Sequence, residues 1–363
     1  MAFENPKKIK RKLTRVRSRL SKKKMDLQDM KWVILSDVHK GNGDSADDFK
    51  KCEKNYLSAL SYYYKHDYTL VLLGDIEELW ENRIKGVLDR HKETFKWERK
   101  FFNNRKNNKV RYYRIFGNHD DLWDKPSSVV KHLSKVIGPI EVLEGMRLKI
   151  VHKKKEIGEI FLTHGHQGTF SSDTMEKISR ILVRYLWRPV QRTIRYRPNT
   201  LSTKYKAKSE HEDAMHQWAD DISGLVLIAG HTHHPVFMAE SHEYTLKEQI
   251  KGLEAKKKKK KGKGLKKIDK EIAKLRKKLV EKTEENQNHL YLRAKGSKPS
   301  YFNTGCCIFK DGDITAIEIG QNEEGKEFPE IRLVKWDNET SDMNKKRIIL
   351  RSADLLDVFK QCS

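Results

Sequence analysis

The chain has 363 residues, 37% hydrophobic and 35% charged, and its 76 Lys and Arg against 51 Asp and Glu leave a net charge of +25. No apolar run approaches the roughly 20 residues of a membrane-spanning helix and no signal-peptide core precedes the first strand, so no helical membrane span is expected. Cys52, Cys306, Cys307 and Cys362 contain no C-x-x-C pair and no disulfide framework, so a reducing, cytoplasmic setting is expected, soluble or peripheral at a membrane surface.

Residues 1–29 carry the run KKIKRKLTRVRSRLSKKK, with Leu13, Val16 and Leu20 at helical spacing. They read as a basic N-terminal arm that either lies on phosphate or anionic lipid or stays solvated. From residue 30 the pattern becomes α/β, and five apolar strands end in side chains able to bind a cation. Trp32 to Leu35 leads to Asp37 and His39, and Leu70 to Leu73 leads to Asp75. A Tyr/Ile/Phe strand leads to Asn118, His119 and Asp120, Ile160 to Leu162 to His164 and His166, and Leu225 to Ala229 to His231 and His233. In layered α/β sheets chemistry gathers beyond the carboxyl ends of the strands, so these loops are expected to meet.

Between them, a helix opened by Ser45 buries Tyr56, Leu57, Leu60, Tyr63 and Tyr64. Ser128 to Ile137 reads as a short amphipathic helix, and a hairpin over Lys153 to Lys155 returns to the His164 strand. His211 and His216 read as exposed. Residues 171–215 read as a helical cap inserted into the core of residues 30–245; on it Arg180, Arg184 and Arg188 recur every four residues and, with His166, are candidates for holding an anionic substrate. Residues 246–295 form a Lys-rich helical hairpin, 296–340 complete the core with Cys306 and Cys307 on a strand, and 341–363 are a C-terminal tail.

Mixed nitrogen and oxygen ligands without Cys suit Mn, Fe, Zn or Co. Two such divalent ions acidify a bridging water to hydroxide and hold the phosphoryl oxygens of an in-line displacement. His119, with Asp120 to orient it, is placed to stabilise that phosphoryl group or protonate the leaving oxygen.

The series Asp37-Val-His39, Gly74-Asp75, Gly117-Asn-His119-Asp120, His164-Gly165 and Gly230-His231-Thr-His233 resembles the calcineurin-like metallophosphoesterases over residues 31 to 240, and again from Tyr301. The resemblance implies a two-sheet β-sandwich core flanked by helices, with helical insertions. It implies one metal on Asp37, His39, Asp75 and His233 and another on Asp75, Asn118, His164 and His231, with His119 as the catalytic imidazole and Mn as the first choice of ion. Glu78 and Trp80 after Asp75, and Tyr301 to Gly305, are similar to the G-D-x-x-E-x-W and Y-F-N-T-G segments of a bacterial subgroup that includes the UDP-2,3-diacylglucosamine hydrolases. That subgroup typically has Arg where this chain has His119. The expected activity is hydrolysis of a phosphodiester or pyrophosphate bond, in a nucleotide- or lipid-linked substrate. The competing expectation is a nucleic-acid or anionic-membrane binding protein whose basic arms carry the function and whose metals are structural.

Overall fold

The computed structural model describes residues 5–105, 110–168, 201–241, 250, 253–254, 257, 268–269, 272–273, 275–276, 297–321, 325, 327–340 and 342–363, the side chains of 201–209, 240–241 and 343–344 excepted. Two seven-stranded sheets form the centre. The first contains β2 (Trp32–Leu35), β3 (Thr69–Leu73), β4 (Tyr112–Ile115), β5 (Val142–Leu143), β12 (Ile314–Gly320), β13 (Glu330–Trp336) and β14 (Arg347–Asp354), in the order β14-β13-β12-β2-β3-β4-β5. The second contains β1 (Lys22–Asp26), β6 (Gly145–His152), β7 (Lys155–Thr163), β8 (Leu225–Ala229), β9 (Pro235–Phe237), β10 (Glu240–Ser241) and β11 (Tyr301–Thr304), in the order β1-β6-β7-β8-β11-β9-β10. Strands β2, β3, β4 and β5 are mutually parallel, as are β7, β8 and β11.

The two-residue period of the strands builds a three-layer core. Trp32, Ile34, Val71, Leu73 and Ile115 point inward against Leu148, Ile150, Ile160, Leu162, Val226 and Ile228 of the facing sheet. Val33, Leu35, Leu70 and Leu72 point outward onto the helices α2 (Glu53–Lys65) and α3 (Lys92–Asn103). A strand apolar on both faces must be covered on both, which makes β2 and β3 continuous apolar runs. The expected two-sheet α/β architecture is the observed one.

Several local expectations are corrected. Asp47 caps a single 3-10 turn, Asp48–Lys51, by accepting from Phe49 N–H at 3.1 Å, so the helix expected from Ser45 begins at Glu53. Cys306 and Cys307 follow β11 in a loop rather than lying on it; both are buried, and Cys307 N–H donates to Asp37 O at 3.1 Å. Leu355, Val358, Phe359 and Cys362 of a C-terminal helix, Leu355–Cys362, enter the inter-sheet core, so the segment expected as a tail closes the fold.

The basic arm is also part of the core. Helix α1 (Pro6–Arg19) buries Ile9, Leu13 and Val16 against Phe161, Trp218 and Leu227. Full burial of such side chains contributes about 1.5–3 kcal/mol each, enough to dock a helix whose cations would otherwise keep it solvated. An ion cluster seats it: Glu159 accepts from Arg17 Nε at 2.8 Å and from Arg147 Nε and Nη2 at 2.8 Å each. Burial pushes the Glu159 carboxyl up, but the two guanidiniums outweigh it and hold it at about 2 against an ordinary 4.5. A depressed carboxylate stabilises the fold above its unfolded pKa and loses that contribution as pH falls through the folded one. Glu159→Gln is therefore expected to cost about 3 kcal/mol at neutral pH, the lower end for a broken buried pair. The deficit should shrink between about pH 4.5 and pH 2. Denaturant titrations across that range check it, and a deficit constant with pH would remove the ionic explanation.

The residues described from the expected Lys-rich hairpin pack together. Ile250, Ile268 and Ile272 are buried with Leu253 and Leu275 beside them. Lys257 pairs with Asp269 at 2.5 Å and Arg276 with Glu254 at 2.6 Å, pairings that run in opposite chain directions, as in antiparallel helices. Among the described residues no helix is long and apolar enough to cross a membrane.

Candidate metal centre

The loops after β2, β3, β4, β7 and β8 converge at one end of the two sheets. The first two are tied by their backbones: Asp37 N–H donates to Gly74 O at 3.1 Å, Val38 and His39 N–H both donate to Asp75 O at 2.9 Å, and Lys40 N–H donates to Ile76 O at 2.9 Å. Their side chains are turned inward by left-handed backbone, with φ of 51° at Asp37, 47° at His39, 53° at Asp75, 71° at His231 and 63° at His233. Such a conformation costs a residue with a Cβ about 1–3 kcal/mol, and strain of this kind gathers at functional sites. Glycine supplies the clearance. A Cβ on Gly117 would lie 2.2 Å from Asp75 Oδ1, and one on Gly230 would lie 2.4 Å from Ser36 Oγ.

Three candidate ligand groups result, and one of them, His39, Asp75 and His119, links the other two. Asp37, His39 and His233 form one: Asp37 Oδ1 lies 3.1 Å from His233 Nε2, and the Nε2 atoms of His39 and His233 face each other at 3.3 Å. Asp75, His164 and His231 form the other, with Asp75 Oδ2 at 3.1 Å from His164 Nε2. The same Oδ2 lies 3.8 Å from His39 Nε2, so Asp75 stands between the groups. Buried Asn118 completes the set, its Oδ1 having no hydrogen-bond partner among the described residues. Two imidazole nitrogens aimed at each other, a buried orphan amide oxygen and carboxylates between rings make a donor set of the kind that divalent cations satisfy.

The surrounding groups orient these ligands. His164 Nδ1 donates to Leu73 O at 2.9 Å, which directs Nε2 toward Asp75. Asp37 Oδ2 accepts from His231 N–H at 2.9 Å and from Ser36 Oγ. Burial pushes the Asp75 carboxyl up, but the His164 and His119 imidazoles outweigh it and hold it well below the usual carboxylate range. Burial opposes charge on His164 too, yet Asp75 and Asp37 raise it to about 9.

His119 stands at the edge of the centre with its ring 4.7 Å from that of His39. The expectation that Asp120 orients it is corrected: buried Asp120 accepts backbone N–H groups, from Gly117 at 2.6 Å, Ile76 at 2.8 Å and Asp75 at 3.3 Å, and so ties the second and third loops together. Glu78 takes the orienting place. Its Oε2 lies 2.7 Å from His119 Nδ1 and 3.1 Å from His39 Nδ1, and Trp80 stacks on the His119 ring at 4.2 Å. Burial pushes the Glu78 carboxyl up, but the two imidazoles outweigh it and hold it at about 2. The sequence signal for this triad was the spacing Asp75, Glu78, Trp80. A cleft of about 700 Å³ opens beside it, bordered by His39, Ser45, Asp48, Glu81, His119 and His233.

His166 is nine-tenths buried, its ring 5.5 Å from His164, and burial followed by the nearby His164 charge lowers it to about 3. It lies against the second ligand group. His211 and His216, expected to be exposed, are buried: on the helix Leu201–Asp220, His211 Nε2 donates to Gly165 O at 2.5 Å and His216 Nε2 to Lys298 O at 3.1 Å. A helical pattern places them on that helix but does not reveal that this face is covered by a ligand loop. Arg180, Arg184 and Arg188 lie outside the described residues.

A family model described as calcineurin-like phosphoesterase matches residues 30–235. No curated protein matches the chain.

Proposed function

The chain belongs to the calcineurin-like phosphoesterase family and is a metal-dependent phosphoric ester hydrolase, and we propose that it cleaves a phosphodiester or pyrophosphate bond at two divalent metal ions. The observation that carries this reading is the run of ligand groups in which His39, Asp75 and His119 link Asp37, His39 and His233 to Asp75, His164 and His231. Asp37, His39, Asp75 and His233 would hold one ion, and Asp75, Asn118, His164 and His231 the other. Ions so held would supply Lewis acidity toward the phosphoryl oxygens and would acidify a water for attack.

The chain's own residues do the rest. His119, fixed by Glu78 on one ring nitrogen and by Trp80 on its face, presents its other nitrogen to the phosphoryl group or the leaving oxygen. The cleft takes the remainder of the substrate. Glu78 and Trp80 support a likeness to the bacterial hydrolases of nucleotide-linked lipids, whereas His119 fits the wider family, so a nucleotide- or lipid-linked phosphate is the proposed substrate class. Arg180, Arg184, Arg188 and His166 are proposed to meet its anionic part. Helix α1 offers a second anionic contact. Lys7, Arg11, Arg15 and Arg19 are exposed along it at four-residue steps, which suits a nucleic acid or an anionic membrane.

The test is hydrolysis of bis-p-nitrophenyl phosphate by chelator-stripped protein resupplied with Mn, Fe, Zn or Co. Turnover is expected to return with metal, with Mn the proposed best ion; a stripped protein as active as the resupplied one would sink the proposal. Repeating the assay with an anionic nucleic-acid substrate in rising salt tests α1. A steep fall in kcat/KM is expected, and a salt-independent kcat/KM would remove α1 from substrate binding.

A further inference from the structure

Beneath the ligand loops lie four fully buried charged side chains that no ligand role uses: Lys40, Glu77, Glu98 and Arg114. Lys40 Nζ bonds to Glu98 Oε1 and lies 3.8 Å from Glu77 Oε1. Arg114 Nη2 bonds to Glu77 Oε2, and its Nη1 donates to Glu98 Oε2 at 2.9 Å. Tyr112 OH donates to Glu98 Oε2 at 2.7 Å, and Trp123 Nε1 donates to Glu77 Oε2 at 2.9 Å. The Lys40 ammonium also sits 4.3 Å from the centre of the Phe95 ring.

Stability does not explain such a cluster. Charges taken out of water are repaid only when every polar atom is satisfied, and apolar side chains of the same size usually serve a core better. Here Glu77 Oε1 and Arg114 Nε have no hydrogen bond among the described residues. What the cluster does have is an address. Lys40 follows His39; Glu77 precedes Glu78; Arg114 is on β4, which delivers Asn118 and His119; Trp123 N–H donates to Asp120 O at 3.0 Å on the same loop. The backbones repeat the connection, with Glu78 N–H donating to Lys40 O at 3.0 Å and Leu79 N–H to His119 O at 3.1 Å. Side chains of Glu77 and Glu78 point opposite ways, one into the quartet and one to the two imidazoles.

We propose that the Lys40–Glu77–Arg114–Glu98 quartet is a positioning device that sets Glu78, and through it His39 and His119, in register across three separate loops. It rests on the reading of His119 as the catalytic imidazole. Directional charged bonds specify one arrangement where an apolar core of equal volume tolerates several. A displacement of an ångström at the imidazole is enough to cost on the order of a hundredfold in rate.

The test is the charge-balanced double variant Lys40→Met/Glu98→Gln, in which the Glu77–Arg114 pair remains. Thermal midpoint, metal per chain, kcat and KM toward bis-p-nitrophenyl phosphate, and the imidazole signals of ¹⁵N-histidine-labelled protein would be measured. Expected are a folded protein with both metals and KM nearly unchanged, kcat lower by tenfold to about a hundredfold, and moved His39 and His119 signals with the other histidines in place. A folded double variant with wild-type kcat and unmoved His39 and His119 signals overturns the proposal and leaves the quartet a core element. If the double variant does not fold, Tyr112→Phe, which removes the hydroxyl that donates to Glu98 at 2.7 Å and keeps the ring, is read in the same way. A wild type without metal-dependent turnover defeats the phosphodiesterase reading, not this one, because the imidazole signals of stripped protein still decide it.

Discussion

Asp75→Asn is expected to strip the centre of both metals and lower turnover by on the order of 10³-fold, since several kcal/mol of Lewis-acid stabilisation are lost at about 1.4 kcal/mol per tenfold. The reason is position. Asp75 Oδ2 lies between His164 at 3.1 Å and His39 at 3.8 Å, one from each ligand group, so it is the carboxylate that both proposed ions share. Its other oxygen accepts His119 N–H at 2.8 Å, so the substitution also loosens the loop carrying the proposed catalytic imidazole. Asn keeps the shape and a hydrogen-bonding oxygen but removes the negative charge that two cations need between them. Metal analysis of the purified variant, with kcat for bis-p-nitrophenyl phosphate, decides the matter. Two ions per chain and unchanged turnover would show that Asp75 does not bridge.

His119→Ala is expected to lower kcat by about 10² to 10⁴-fold, the range for removing a general acid or base, while both metals stay bound. The separation of the two effects is expected because His119 is held by Glu78 and Trp80 and belongs to only one of the three candidate groups, the one that links the other two. Glu78→Gln in the same series should cost about 10 to 100-fold, the usual loss on removing an orienting partner, because the imidazole remains but is no longer fixed. Glu78 also touches His39 at 3.1 Å, so a modest loss of metal affinity is expected with it. Metal content that collapses in His119→Ala would make His119 a ligand, a role compatible with its grouping with His39 and Asp75. Wild-type turnover in His119→Ala would end its catalytic assignment.

The α/β strands and the place of the candidate site were legible in the sequence because their signals are local, while the two-sheet arrangement was expected from the family resemblance. A strand covered on both faces has to be apolar throughout, and a loop leaving such a strand at the sheet's carboxyl end has to begin with whatever the site uses. Trp32 to Asp37 and Leu225 to His233 each hold both signals within a few residues. The left-handed backbone at those ligands and the clearance at Gly117 could not be read this way, since they depend on the loop that lies opposite.

Contacts between distant segments account for the rest. Next to His119 in sequence, Asp120 looks like its partner; the loop turns so that Asp120 caps three backbone N–H groups, and Glu78, arriving from another strand, reaches the ring. Helix α1 has the composition of a solvated arm, and three apolar side chains suffice to dock it because Trp218 and Phe161 supply a matching face. Only the folding together of β4, α3 and two ligand loops encloses Lys40 with two carboxylates and a guanidinium. The sequence by itself determined the five strands that lead to the site and what chemistry their ends carry, since periodicity and spacing are properties of neighbouring residues, whereas β1 in the expected arm and β14 in the expected tail were not legible. Which side chain orients which, and which charges are buried, was decided by the tertiary structure alone, because a charge's environment is set by residues that chain order does not bring near.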